Sequence, residues 1–277
     1  MTRPLLLVDA ASMYFRAYFG VPESAFTAAD GTPVNAVRGF LDMIATLVRG
    51  RRPGRLVCAL DADWRPAWRV AVLPQYKAHR LSPEGGEITP AGLEVQVPVI
   101  IDILDALGVP AVGVAGYEAD DVIGTLAARE PGPTEVATGD RDLFQVIDDA
   151  RGVRVLYTGR GVSKLEVYDD ATVRAKYGVP AAGYADFAAL RGDPSDGLPG
   201  VAGVQRAAVL GAGERARGPG LPEGDHDPDE RGDDGSGDEG SDVSHSGTVE
   251  RPASMRTSGG RLDDLVLADG ADAGARV

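Results

Sequence analysis

Residues 5–9 read Leu-Leu-Leu-Val-Asp, four apolar residues closed by an acid. A run this short and this apolar, followed at once by helical spacing, marks a strand buried on both faces. The same figure returns downstream. Leu56 to Leu60 is closed by Asp61; Ala111 to Val114 leads through a Gly-Tyr turn to Glu118, Asp120 and Asp121; Glu135 to Thr138 leads to Asp140 and Asp142. Val153 to Tyr157 adds a fifth run. Between the runs, Val37, Phe40, Leu41, Ile44 and Leu47 recur at helical spacing, as do Leu93, Val97, Ile100, Ile101, Leu104 and Leu107. A further helix begins at Glu118 and turns Val122, Ile123 and Leu126 inward. Strands alternating with amphipathic helices predict an α/β fold, a mostly parallel central sheet flanked by helices.

With 277 residues, 43% apolar and 25% charged, the chain has the composition of a globular protein and enough length for a real core. No stretch approaches the roughly 18 apolar residues of a membrane span, and the run at 5–8 is too short for a signal peptide, so the expected location is cytoplasmic. One cysteine, Cys58, leaves no internal disulfide and no cysteine-built zinc site, and its apolar neighbours make it a core thiol. A net charge of −14 argues at first against a nucleic-acid partner, but −8 of it falls from Arg206 onward.

In an open parallel sheet the carboxyl ends of the strands face one crevice. Asp9, Asp61, Glu118, Asp120, Asp121, Asp140 and Asp142 would share that edge. Each alone reads equally as a helix cap or first-turn acid. Together they would repel and take up protons unless cations neutralised them. Oxygen donors without His or Cys select Mg²⁺ or Mn²⁺, and two such ions about 4 Å apart hydrolyse phosphodiesters. Asp193 and Asp196, in Gly-Asp-Pro-Ser-Asp-Gly, would complete an outer site if their turn folds back; alone they make a plain turn.

Arg65, Arg69, Tyr76, Lys77 and Arg80 fall within 64–80, with Pro66 and Pro74 placed to open successive helical pieces. They form either a solvated helix face or a grip on the phosphates of a single strand, with Tyr76 stacking on a base. Arg16, seven residues past Asp9, is a surface arginine or a further phosphate contact. Residues 79–92, rich in Gly and Pro, read as a long mobile loop. After about Val204 the composition turns to Gly, Asp, Arg, Pro, Ser and Ala, which predicts disorder, with at most a helical turn at Leu262 to Leu267.

Six segments in this order resemble the bacterial 5′-3′ exonucleases of the flap endonuclease family. They are Leu-Leu-Leu-Val-Asp at 5–9, Ala-Leu-Asp-Ala-Asp-Trp-Arg-Pro at 59–66, Tyr-Lys-Ala-His-Arg at 76–80, Gly-Tyr-Glu-Ala-Asp-Asp-Val at 116–122, Thr-Gly-Asp-Arg-Asp-Leu-Phe-Gln at 138–145, and Gly-Asp-Pro-Ser-Asp-Gly-Leu-Pro-Gly-Val at 192–201. The resemblance implies a PIN-like, resolvase-type core over 1–178, including a helical arch at about 64–92, then a partial helix-hairpin-helix region over 179–210 and a disordered tail over 211–277. It implies one metal site from Asp9, Asp61, Glu118 and Asp120 and a second from Asp140, Asp142, Asp193 and Asp196, with Asp121 close to both. Lys77 and Arg80 would sit at the base of the arch and act in catalysis beside Asp9 and Asp61. Arg16 would steer phosphate, and Arg65, Arg69, Tyr76, Gly200 and Gly203 would contact DNA. The substrate class would be DNA with a free 5′ end or 5′ flap. The chain would act as a monomer, away from membranes, and any coupling to synthesis would need a separate DNA polymerase.

The resemblance then breaks off. The family continues with a Gly-x-Lys-Thr-Ala hairpin that holds K⁺ and a duplex phosphate, whereas Gly200-Val201-Ala202-Gly203-Val204 is followed here by Gln205-Arg206-Ala207-Ala208. The K⁺ site is therefore expected to be lost, with residues after Val204 read from a shifted frame. Two other readings remain at this point: a DNA-binding remnant impaired in cleavage, and a PIN-type RNase, against which the arch segment speaks. A haloacid-dehalogenase-type phosphatase is disfavoured because Ala11 stands where a second Asp is needed.

Overall fold

The computed structural model describes residues 2–83 and 85–202 together with the backbone of 256–258. In chain order the elements are β1 (Leu5–Asp9), α1 (Ala10–Gly20), α2 (Asn35–Arg51), β2 (Arg55–Ala59), α3 (Ala67–Val72), α4 (Ala91–Glu94), α5 (Gln96–Ala106), β3 (Ala111–Val114), α6 (Ala119–Arg129), β4 (Thr134–Thr138), β5 (Val153–Tyr157), β6 (Glu166–Tyr168), α7 (Asp170–Tyr177), α8 (Tyr184–Arg191) and β7 (Arg256–Ser258). The sheet runs β6-β5-β4-β1-β2-β3-β7 and is parallel except for β6.

All five expected strands form. β6 escapes the sequence pattern because it is three residues long at an antiparallel edge. β7 pairs with β3, so the expected disorder does not hold for Arg256–Ser258. The rest of 203–277, including the Leu262 to Leu267 segment, lies outside the described residues.

Alternation along the strands divides the core between two faces. Leu5, Leu7, Val57, Ala59, Val136 and Val155 pack with α6, α7 and α8, while Leu6, Val8, Cys58, Ala137 and Leu156 pack with α1, α2 and α5. The stripe at 93–107 is broken at Val95 into α4 and α5. Pro98 is the reason: it has no N–H to give, and its ring meets the carbonyl four residues back, so it is tolerated only in the first turn of a new helix.

From β1 the chain builds outward to β2 and β3, then crosses to the other side of β1 for β4. The connections leaving β1 and β4 diverge, which opens a crevice at their carboxyl ends. Segment 64–92 lies over this edge. Pro66 opens α3 as expected, but Pro74 opens only a turn, followed by a 3-10 turn at Ala78–Arg80. The expected mobile loop is closed into a hairpin by Ser82 N donating to Gly86 O at 2.8 Å and Ile88 N to Arg80 O at 2.8 Å. Among the described residues no helix is long and apolar enough to cross a membrane.

Candidate active site

The inner acids sit where the strands stop. Asp9 caps α1, accepting from Ser12 N at 3.1 Å, and its other oxygen accepts from Thr138 Oγ1 at 2.7 Å, which ties β1 to β4 across the switch point. Asp61 accepts from Ala119 N at 2.7 Å and so joins β2 to the start of α6. Glu118, 2% exposed, accepts from Tyr76 Oη at 2.7 Å and pairs with Lys77 and Arg69. Asp120 follows in the first turn of α6.

The outer acids sit on loops. Asp140 accepts from Asp142 N at 2.8 Å, and its own N–H donates to Thr138 Oγ1 at 2.9 Å. The 192–200 turn folds back onto the crevice: Lys77 N donates to Asp196 O at 2.9 Å and Arg80 Nη2 to Ser195 O at 2.7 Å. Asp196 Oδ1 lies 3.8 Å from Lys77 Nζ and 3.7 Å from Arg80 Nη2. Such docking needs glycine. Gly197 has φ +74°, and a Cβ there would stand 2.7 Å from Gln75 O. At Gly200 a Cβ would stand 2.5 Å from Arg191 O, so this glycine is fixed by its own turn. Gly203 lies outside the described residues.

Asp9, Asp61, Glu118, Asp120, Asp140 and Asp193 line one cavity of about 400 Å³ together with Lys77, Arg80 and Arg141. Burial, then Asp61, pushes Asp9 up to about 7. Burial, then Asp140, Asp193 and Asp196, pushes Asp142 up to about 7. Burial followed by Asp140, Asp9 and Asp61 drives Asp120 well above the usual carboxylate range, and burial raises Asp61 and Asp140 as well. The donor set suits hard divalent cations, which would relieve this crowding. Among the described residues no three acidic, His or Cys side chains converge closely enough to clasp an ion as they stand. Glu118 is turned to Arg69, Lys77 and Tyr76, and Asp9 to Ser12 and Thr138.

Four of the expected site residues are turned to other parts of the protein. Asp121, like Asp142 and Asp196, is not among the cavity-lining residues; it accepts from Glu118 N at 3.0 Å and pairs with Arg69 at 2.7 Å, so it caps α6 and anchors the arginine. Tyr76 is 7% exposed and donates to Glu118, which leaves no open ring for a base. Arg65 spends its guanidinium on Tyr76 O at 2.6 Å and Pro74 O at 2.8 Å and braces the chain rather than facing a ligand. Arg69 is held by Glu118 and Asp121. Arg16 keeps a buried Nε without a hydrogen-bond partner among the described residues, beside Gly139 at the cavity edge. Sequence reasoning missed Glu87, which the 80–88 hairpin delivers into the cavity beside Asp61. No spacing rule marks an acid in a Gly-rich loop.

A switch-point cavity walled by oxygen donors and faced by a lysine and an arginine is the layout of a metal-dependent phosphoryl-transfer enzyme. The family described as "5'-3' exonuclease, N-terminal resolvase-like domain" matches residues 4–178. The chain belongs to this family. It is 62% identical over 204 residues to a 5'-3' exonuclease of Streptomyces coelicolor, covering 72% of this chain and 67% of that one. It is 54% identical over 224 residues to a 5'-3' exonuclease of Mycobacterium tuberculosis, covering 76% and 70%. With DNA polymerase I of Mycobacterium bovis the identity is 41% over 203 residues, 72% of this chain but 22% of the polymerase. Zinc-bound T5 5'-exonuclease shares the fold at a TM-score of 0.56 and 17% identity, over 77% of this chain and 75% of that one.

Proposed function

We propose that the chain is a divalent-metal-dependent 5′-3′ exonuclease and 5′-flap endonuclease, hydrolysing DNA phosphodiesters from a free 5′ end. The observation that carries the reading is the convergence of Asp9, Asp61, Glu118, Asp120, Asp140 and Asp193 on one cavity opposite Lys77 and Arg80. Asp9, Asp61, Glu118 and Asp120 would hold one ion, and Asp140, Asp142, Asp193 and Asp196 a second, with Mg²⁺ the natural occupant and Mn²⁺ its substitute. Bound there, the ions supply an activated water and a counter-charge for the leaving oxygen.

The chain's own residues do the rest. Lys77 and Arg80 meet the scissile phosphate, the Asp9–Thr138 hydrogen bond keeps the walls of the switch point in register, and Arg16 steers the adjacent phosphate. Gln205-Arg206-Ala207-Ala208 stands where the K⁺-binding hairpin has its Gly-x-Lys-Thr-Ala sequence, a change that would weaken the grip on duplex. We place the enzyme in the cytoplasm as a monomer, working beside a separate DNA polymerase.

The test is cleavage of a 5′-labelled flap by the purified chain. Mg²⁺ or Mn²⁺ should support it, and EDTA or Asp140→Ala should abolish it. A second reading, a DNA-binding chain impaired in cleavage, is favoured by Gln205-Arg206-Ala207-Ala208 in place of the hairpin; binding without cleavage would select it.

A further inference from the structure

Phe15 and Tyr157 line the cavity itself, and with Tyr76 buried a further aromatic ring stands open just outside it. Trp68, on α3, is 48% exposed, and Val72, one turn on, is 81% exposed. The indole is not loose. Its Nε1 donates to Gly116 O at 3.2 Å, in the turn that leads into Glu118. The Arg69 guanidinium lies 4.8 Å from the ring centroid and is itself held by Glu118 and Asp121. A rigid, half-open ring thus stands one side chain away from the acid-lined wall.

We infer that Trp68 is a stacking platform for an unpaired base of the DNA strand whose phosphate enters the cavity, an inference that rests on the function proposed above. An indole face is the size of one base, and an Arg-backed aromatic binds any base through its π face. A single ring with one valine beside it falls far below the roughly 800 Å² per partner of a stable protein interface. Held at one edge by Gly116 O and covered on one face by Arg69, the ring loses little freedom when a base stacks on its other face.

Trp64 and Trp68 are the only tryptophans, so in a full-length Trp64→Phe chain Trp68 alone reports. In EDTA, oligothymidylate should quench this emission saturably, and a blunt duplex should quench it less. On a 5′-overhang substrate with Mg²⁺, Trp68→Ala should raise KM about tenfold with kcat unchanged, and Trp68→Phe should restore most of the loss. Emission that ignores oligothymidylate while a retention assay registers binding would overturn the platform and leave the nuclease reading intact. So would a fall in kcat at constant KM, which would make Trp68 a brace for Arg69. A signal that follows protein concentration but not DNA would give the face to a second copy of the chain. A chain that binds no DNA in any assay would sink the functional reading itself.

Discussion

The inner and outer acids of the cavity are held in different ways. Asp9, Asp61 and Glu118 end strands or open helices, and each is fixed by donors from another part of the fold: Thr138 to Asp9, Ala119 to Asp61, and Arg69, Tyr76 and Lys77 to Glu118. Asp140 and Asp193 accept mainly from amides of their own loops, from Asp142 N and Ser195 N at 2.8 Å each. The inner wall is therefore as stable as the sheet. The outer wall is as stable as the docking of one turn.

The sharpest way to break this contrast is to remove an acid from each wall. Asp120→Ala should lower kcat by about 10³-fold, some 4 kcal/mol of barrier, at any Mg²⁺ concentration. Asp193→Ala should cost about tenfold and be partly recovered by raising Mg²⁺. Metal titrations of turnover separate the two; equal losses without recovery would erase the distinction.

Next in size is Gly197→Ala. Its Cβ would press on Gln75 O, so the turn must shift, at a cost of about 1–2 kcal/mol. Turnover should then need more Mg²⁺ while far-UV circular dichroism is unchanged. Wild-type metal dependence in this variant would mean that docking does not set the outer wall.

A third test uses protons. In the metal-free fold Asp9 and Asp142 keep theirs up to about pH 7, whereas the unfolded chain releases them near 3.8. The unfolded state thus binds fewer protons between these values, so the contribution of these two groups to stability falls as pH rises from about 4 to 7 and changes no further above. Metal-free protein should melt at least about 4 °C higher at pH 5 than at pH 8, and Mg²⁺ should raise Tm more at pH 8. Asp142→Asn should flatten the profile; an unchanged profile would remove Asp142 from the charged cluster. The smallest effect is at Cys58, fully buried and pushed up to about 12. It should resist thiol reagents until the sheet opens, as followed by mass spectrometry.

The sequence shows the inner wall clearly because strands, and acids at their ends, obey short-range rules. Leu5–Asp9 announces both the strand and the carboxylate that follows from it. The return of the 192–200 turn is legible only as a possibility, since it depends on Gly197 meeting Gln75, residues far apart in the chain. Tyr76 and Trp68 fail for the same reason. Their exposures, 7% and 48%, are set by Glu118 and Gly116, and no local pattern ranks one aromatic above the other. Glu87 has no local signal, because nothing in a Gly-rich loop tells which side of its Leu81–Glu87 pair faces the cavity.

The hydrogen bond between Asp9 and Thr138 spans 129 positions, and Lys77 meets Asp196 across a comparable gap. A fragment that stops short of residue 192 carries the inner acids but not Asp193 or Asp196. A growing chain must therefore release the α/β body through the 192–200 turn before both walls of the pocket can close on each other.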